Sequence, residues 1–331
     1  MRILVTSAGS GVASAVCEAA QESTHEVIAA TTTVAAADVS FAHVYEVPPT
    51  SQAGAFQHAV LEIVRRERPA LVLAGRDDDI LALAEIAADL SQLGATWTGS
   101  DMTFARSCRD KAWVAATLHE LGFPAARCAT TGADAVELAR GSGYPLVVKP
   151  RRGDGSRGAR LVHDESSMLD AFAAPLRPLI AQPYLRPLGE AIPCTLEQRD
   201  EFSAQAIVGH SDVSITCNRL RDGVPVEAVA VLPRELAALV TDLADQLAGL
   251  GCRGPVNVQA KQVAAGSFVI FEINFRCTGL TGARAKMGFN ELDILAGAPA
   301  GAGWQAAVTR GLVAYRELSG YRVEEITCRS R

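Results

Sequence analysis

Val147-Val148-Lys149-Pro150-Arg151-Arg152-Gly153-Asp154-Gly155-Ser156-Arg157-Gly158 is the stretch on which the reading of this chain turns. An apolar strand delivers a lysine at its end, and a loop rich in glycine and serine follows at once. Glycine removes side-chain bulk and permits positive φ, so such a loop folds its N–H groups over a polyphosphate. A lysine adds a point charge to the same anion. The pattern is not the P-loop, in which Gly-Lys-Ser/Thr closes the loop and a helix follows. A basic surface hairpin with a glycine turn uses the same residues, so the rest of the chain has to decide between the two.

A second cluster lies downstream in Phe271-Glu272-Ile273-Asn274-Phe275-Arg276. Side chains two apart on a strand share a face, so Glu272 and Asn274 point one way and Ile273 and Phe275 the other. Gln259, in Asn257-Val258-Gln259, falls on the preceding predicted strand and joins them if the two strands are neighbours. A small set of Glu, Asn and Gln oxygens suits Mg²⁺, which keeps phosphate oxygens and water as its other ligands. One carboxylate with two amides leaves the ion incompletely neutralised, which favours a polyanion. A satisfied hydrogen-bond network, or a water-facing strand edge, is the plainer alternative.

Taken in order, these segments resemble the ATP-grasp superfamily. Lys111, in Arg109-Asp110-Lys111, stands where that family has its first nucleotide-binding cation, and Lys149 stands at the second. Gly153, Gly155, Ser156, Arg157 and Gly158 match its phosphate lid. Gln182-Pro183-Tyr184-Leu185 matches the hinge strand that meets adenine through backbone groups. Glu190 matches the ribose-holding carboxylate of the Gly-x-Glu element, although here Gly189 and Glu190 are adjacent. Residues 272–276 resemble the E-x-N-P-R signature, with Phe275 in place of proline. Gln259 and Gly288-Phe289-Asn290 are similar to the carbamoyl phosphate synthase large-subunit branch. The resemblance covers roughly residues 108–295. It implies ATP and Mg²⁺ (with Mn²⁺ as a substitute) bound by Gln259, Glu272 and Asn274. It also implies a carboxylate phosphorylated to an acyl phosphate and then transferred to an amine. Arg276 and Arg219 are candidates for cations at the transferring phosphate; an ordinary hairpin arginine explains Arg219 equally well. His210, on a predicted strand of the same region, reads as structural. Bicarbonate as the carboxylate and a nucleotide-binding regulatory module are the rivals.

The expected fold is α/β and α+β: a doubly wound parallel domain at 1–107, then a two-lobed ATP-grasp unit with a small lobe at 108–185 and a large lobe at 186–331. Strand and helix signals alternate through the first hundred residues, as in an open parallel sheet. Gly9-Ser10-Gly11 sits at a strand–helix junction, but Ser14 holds the third glycine position of a dinucleotide fingerprint and no acid ends the second strand. That turn reads as structural or as part of a substrate pocket rather than a nicotinamide site. A strand is expected at 126–130, further strands at 192–198, 203–209, 213–218 and 224–231, a helix at 233–250, strands at 256–263 and 267–273, and helices to close the chain. The net charge of −6 carries no basic excess, which argues against nucleic acid as a partner. No apolar run reaches the roughly 18–20 residues of a membrane span. The N-terminus turns polar too early for a secretory signal. The expectation is a cytoplasmic enzyme of small-molecule carboxylate and amine substrates, with a homodimer left open. The eight cysteines form no C-x-x-C pair and read as small apolar residues or lone thiols.

Overall fold

The computed structural model describes residues 1–33, 41–153, 158–186, 201–221, 224–299, 303–317 and 320–325. The first hundred residues form a parallel five-stranded sheet, built from β1 (Arg2–Val5), β2 (Glu26–Thr31), β3 (His43–Glu46), β4 (Leu71–Leu73) and β5 (Thr96–Trp97) in the order β3-β2-β1-β4-β5. Its helices are α1 (Gly11–Gln21), α2 (Ala53–Glu67), α3 (Asp77–Glu85), α4 (Ala87–Gln92) and α5 (Met102–Ser107). The apolar spacing over 80–90 predicts one helix. The backbone leaves helical geometry at Ile86 (φ −104°, ψ 12°), which ends α3 and begins α4. β3 and β5 escape a periodicity reading because they are short and only half-buried.

The next section holds α6 (Lys111–Glu120), α7 (Gly132–Ser142), β6 (Leu146–Pro150), β7 (Arg160–Val162), α8 (Glu165–Ala173) and β8 (Leu179–Pro183). The three strands pair antiparallel in the order β7-β6-β8. Residues 126–130 do not form the expected strand. Ala129 makes a single bridge to Ala181 within this section, and Ala125, just before the stretch, makes one to Ile270 beyond it. That segment therefore ties the small sheet to the last one.

The last sheet is antiparallel, with β9 (Glu201–Ile207), β10 (Val213–Arg221), β11 (Val224–Val231), β12 (Pro255–Ala264), β13 (Ser267–Asn274), β14 (Leu312–Glu317) and β15 (Gly320–Glu325) in the order β13-β12-β9-β10-β11-β14-β15. The strand expected at 192–198 lies outside the described residues. The helices α9 (Arg234–Gly249), α10 (Thr281–Lys286), α11 (Glu291–Leu295) and α12 (Gly303–Arg310) accompany the sheet. The chain was expected to close on helices, yet β14 and β15 follow α12 and extend the sheet by a hairpin. Leu236, Val240, Leu243 and Leu247 form one buried stripe of α9, at the spacing that puts side chains on one helix face. They pack with Phe202, Ala204, Ile215, Val256, Val258 and Ile270 from one face of the sheet.

Among the described residues no helix is long and apolar enough to cross a membrane. α1 of the first sheet lies against α10, and Gly282 permits that approach: a Cβ there would come 2.5 Å from the Glu18 Cβ and 3.1 Å from the Ala15 carbonyl oxygen. The contact brings the Gly9-Ser10-Gly11 turn over the uncovered face of the seven-stranded sheet.

Candidate functional site

The uncovered face is polar by strand parity. On β9, Phe202, Ala204 and Ala206 face α9, so Glu201, Ser203 and Gln205 face away; on β12 the same rule turns Asn257, Gln259 and Lys261 outward. β12 and β13 are antiparallel neighbours, as the sequence reading required, with Gln259 opposite Glu272 and Asn257 opposite Asn274. The register needs a device the sequence did not reveal. Phe268 and Ile270 face α9, and simple alternation would send Glu272 and Asn274 into the same oil. Ala260 pairs with Ile270 while Gln259 pairs with Glu272, so Phe271 is an extra residue on β13. This bulge switches the parity. Ile273 and Phe275 join the core, and Glu272 and Asn274 turn to the polar face.

Two lysines from the preceding section converge on Glu272. Lys149, at the end of β6, donates to Glu272 Oε2 at 2.8 Å, and the Lys111 Nζ lies 3.9 Å from Oε1. Lys111 also donates to the Gly153 carbonyl at 2.6 Å. Its position is set from two sides. Asp110 caps α6 by accepting from the Ala112 and Trp113 N–H groups and pairs with Arg151 at 2.6 Å, while the Lys111 N–H donates to the Arg151 carbonyl. Burial pushes the Glu272 carboxyl upward, but Lys149, Lys111 and Arg276 outweigh it and hold the group below the usual carboxylate range. Glu272 is thus an anion at neutral pH.

Arg276 is buried and donates to Asp77 at 3.0 Å and to the Cys277 carbonyl at 3.0 Å. Asp77 opens α3, so the first sheet orients a guanidinium attached to the last one. Arg219 is placed differently: it is exposed and donates to Glu227 at 2.7 Å. His210 lies in the turn after β9 rather than on a strand, with its N–H bonded to the Ile207 carbonyl.

A cleft between the small sheet and β13 is lined by Lys111, Gly153, Gln182, Phe271, Glu272 and the apolar side of α6. The Tyr184 N–H donates to the Pro145 carbonyl and prolongs the pairing of β8 with β6; the half-buried Leu185 follows. Gly153 and Gly158 both have positive φ, 144° and 79°. Gly155, Ser156, Arg157 and Glu190 lie outside the described residues.

Beyond Glu272 the cleft gives way to a large cavity roofed by Gly9, Ser10, Gly11 and Arg76 and floored by polar residues of β9, β10, β12 and β13. Gly75 makes the roof tight, since a Cβ there would fall 1.9 Å from the Thr6 carbonyl oxygen. Glu201, Asn218 and Asn257 on the floor, and Arg316 and Tyr321 on the far wall, were not singled out from sequence. The signal was present as parity: Ser214-x-Thr216-x-Asn218 and Glu201-x-Ser203-x-Gln205 place a polar residue at every second position of strands whose other face is apolar. Burial pushes the Glu201 carboxyl up to about 7; Lys261 and Lys149 pull against this, and Glu272 adds to it.

The donor set fits a hard cation. Glu272, Asn274 and Gln259 present oxygens on one face, and the carboxylate is ionised. Among the described residues no trio of His, Cys, Asp or Glu converges, so an ion here would take few protein ligands and keep positions for a polyanion.

Residues 110–180 match the family model described as the carbamoyl-phosphate synthase L chain, ATP binding domain. The chain is 29% identical over 209 residues to the carbamoyl phosphate synthase large chain of Rubrobacter xylanophilus, covering 60% of this chain and 19% of that protein. It thus spans about a fifth of the length of the curated relatives it matches. N5-carboxyaminoimidazole synthetase from Staphylococcus aureus, solved with ADP, superposes with a TM-score of 0.68 at 13% identity over 96% of this chain and 82% of that one. The L-amino acid ligase from Bacillus licheniformis gives 0.66 at 16% identity, over 95% and 78%.

Proposed function

We propose, from the premise that this chain is an ATP-grasp protein, that it is an ADP-forming carboxylate–amine ligase. Residues 1–107, 108–185 and 186–331 act in this reading as three working units: Lys111 and Lys149 of the second meet Glu272 of the third, and Asp77 of the first meets Arg276. The observation that carries it is the convergence of Lys149 and Lys111 on Glu272, with Gln259 opposite that carboxylate and a large polar cavity alongside.

A carboxylate resists direct attack by an amine because its charge is delocalised and an oxide is a poor leaving group. Transfer of the γ-phosphoryl group of ATP to a carboxylate oxygen gives an acyl phosphate and ADP. The amine then forms the C–N bond as phosphate leaves. No protein nucleophile is needed, and the work is positioning and charge stabilisation. Adenine is assigned to the cleft beside Gln182, Tyr184 and Leu185, ribose to Glu190, and the phosphates to Lys111, Lys149 and the loop from Gly153 to Gly158. Mg²⁺, held by Glu272, Asn274 and Gln259, would supply charge neutralisation on the polyphosphate. Arg276, held in orientation by Asp77, faces the reacting phosphoryl group with a planar fork that matches its oxygens.

A screen of carboxylic acids for ADP release, with hydroxylamine as trapping nucleophile, tests this reading. A hydroxamate together with ADP is the expected result, and AMP with pyrophosphate would contradict it. ADP release driven by bicarbonate alone would move the assignment to carbamoyl phosphate-type chemistry, which the match at residues 110–180 favours as the second reading.

A further inference from the structure

We propose that Glu201 and Asn218 form the receiving site for the ammonium group of the amine substrate. This rests on the ligase reading above and deepens it.

The two residues face each other across β9 and β10 in register, so their Cβ atoms are about 4.5–5.5 Å apart. Each side chain is about 2% exposed, and each lines the large cavity. Among the described residues, Glu201 Oε2 and both Asn218 Oδ1 and Nδ2 have no hydrogen-bond partner. Leaving a buried polar atom unpaired costs on the order of 1–3 kcal/mol. Folded proteins rarely keep several such atoms together, and a ligand that satisfies the two oxygens is a direct reason to do so.

The chemistry of the pair selects its occupant. A carboxylate oxygen and an amide oxygen both accept hydrogen bonds, and the carboxylate brings negative charge. Lys261 stands opposite Glu201 on β12 and acts on that charge electrostatically, while Oε2 has no hydrogen-bond partner. An anionic ligand would be repelled, and a neutral hydroxyl would serve one acceptor without meeting the charge. A primary ammonium carries three N–H donors and a positive charge, enough for both acceptors.

Location agrees with this. Ser203, next outward-facing residue to Glu201, pairs with Gln259, which pairs with Glu272. The pair thus lies two and three strands along the same sheet from Glu272, the carboxylate that holds Lys149. Leu220, Val224 and Pro225 continue the cavity wall past Asn218, giving an apolar lodging for the carbon substituent of the amine.

Calorimetric titration of the full chain at about pH 8.5, above the value of about 7 to which burial pushes the Glu201 carboxyl, with n-butylammonium chloride, n-butyltrimethylammonium chloride and n-butanol tests the site. Butylammonium should bind at least about tenfold tighter than the trimethylated cation, which has no N–H donor, and butanol should bind weakest. Glu201→Gln should weaken butylammonium by about tenfold and Asn218→Leu by several-fold. Equal binding of the two cations, or butylammonium binding indifferent to both substitutions, would overturn the proposal. So would a loss confined to ATP affinity, which would assign the pair to the nucleotide. If Glu201→Gln does not fold, Asn218→Leu alone must show the weakening. Pair-dependent butylammonium binding in a protein that forms no ADP with any acid would remove the ligase reading and leave the ammonium site standing.

Discussion

The two faces of the seven-stranded sheet are made from alternate residues of the same strands and obey opposite rules. The face against α9 is apolar and closely packed, with Val256, Val258 and Leu243 at 0% exposure. The face toward the cavity holds Glu201, Asn218, Asn257 and Glu272 and tolerates unpaired polar atoms. One face contributes free energy of folding through burial; the other gives some of it up by leaving buried hydrogen-bonding groups unpaired. Substitutions on the first should change stability, and on the second should change chemistry.

The largest separation is expected from Glu272→Gln. Magnesium-dependent ADP formation should fall by roughly 10²–10³-fold or more, while circular dichroism stays that of the parent and the melting temperature falls only by the contribution that the lowered Glu272 carboxyl makes at neutral pH. Unchanged turnover would break the contrast at its strongest point.

Leu243→Ala should do the reverse. It empties a fully buried position of α9 and is expected to cost about 2–5 kcal/mol of unfolding free energy in a urea titration. Its specific activity below the melting transition should be retained.

Asp110→Ala probes a polar group kept for structure. Burial pushes this carboxyl up, but the Arg151 hydrogen bond and the Trp113 and Ala112 N–H groups outweigh it and hold it below the usual range. Its stabilisation is therefore present above the ordinary carboxylate pKa and fades as pH falls through the lowered value. Removing it should cost about 1–2 kcal/mol at neutral pH and less in acid, read from melting curves across pH.

Glu201→Gln should show the opposite sign. With its pKa raised to about 7, Glu201 favours the folded state in its protonated form, and that contribution is lost as pH rises through the folded value. The substitution should raise the melting temperature by a few degrees in alkali and change little in mild acid. A melting temperature that falls equally at both would assign Glu201 to the structural class.

The smallest effect is expected from Arg219→Ala. An exposed pair such as Arg219–Glu227 contributes about 0–1 kcal/mol, and ADP formation should be within about twofold of the parent.

The section from 108 to 185 was the most legible part of the chain. Lys149 at a strand end and Lys111 at a helix start are local signals, and each lies where its own segment suggests. Legibility failed where the chain depended on distant partners. The strand expected at 126–130 does not form because its hydrogen bonds go to Ala181 and Ile270 in different sheets. The terminal hairpin of β14 and β15 was missed because an edge of an existing sheet completes its pairing. Arg219 drew attention as a cation, whereas its neighbour Asn218 lines the cavity and Arg219 turns to Glu227. Neither Asp77 as the anchor of Arg276 nor the Gly9–Gly11 turn as the cavity roof is visible without the packing of α1 on α10.

The sequence by itself determined which chemistry the segment 271–276 carries: one carboxylate, one amide and one guanidinium, spaced two residues apart along a strand. Alternation within that strand is a local property and needs no partner. Which way those side chains point was decided by tertiary structure alone. The extra residue Phe271 exists only in the register of β13 against β12, and without it Glu272 and Asn274 would share the face of Phe268 and Ile270. A strand's parity relative to a core is set by its neighbours, and only the folded sheet supplies them.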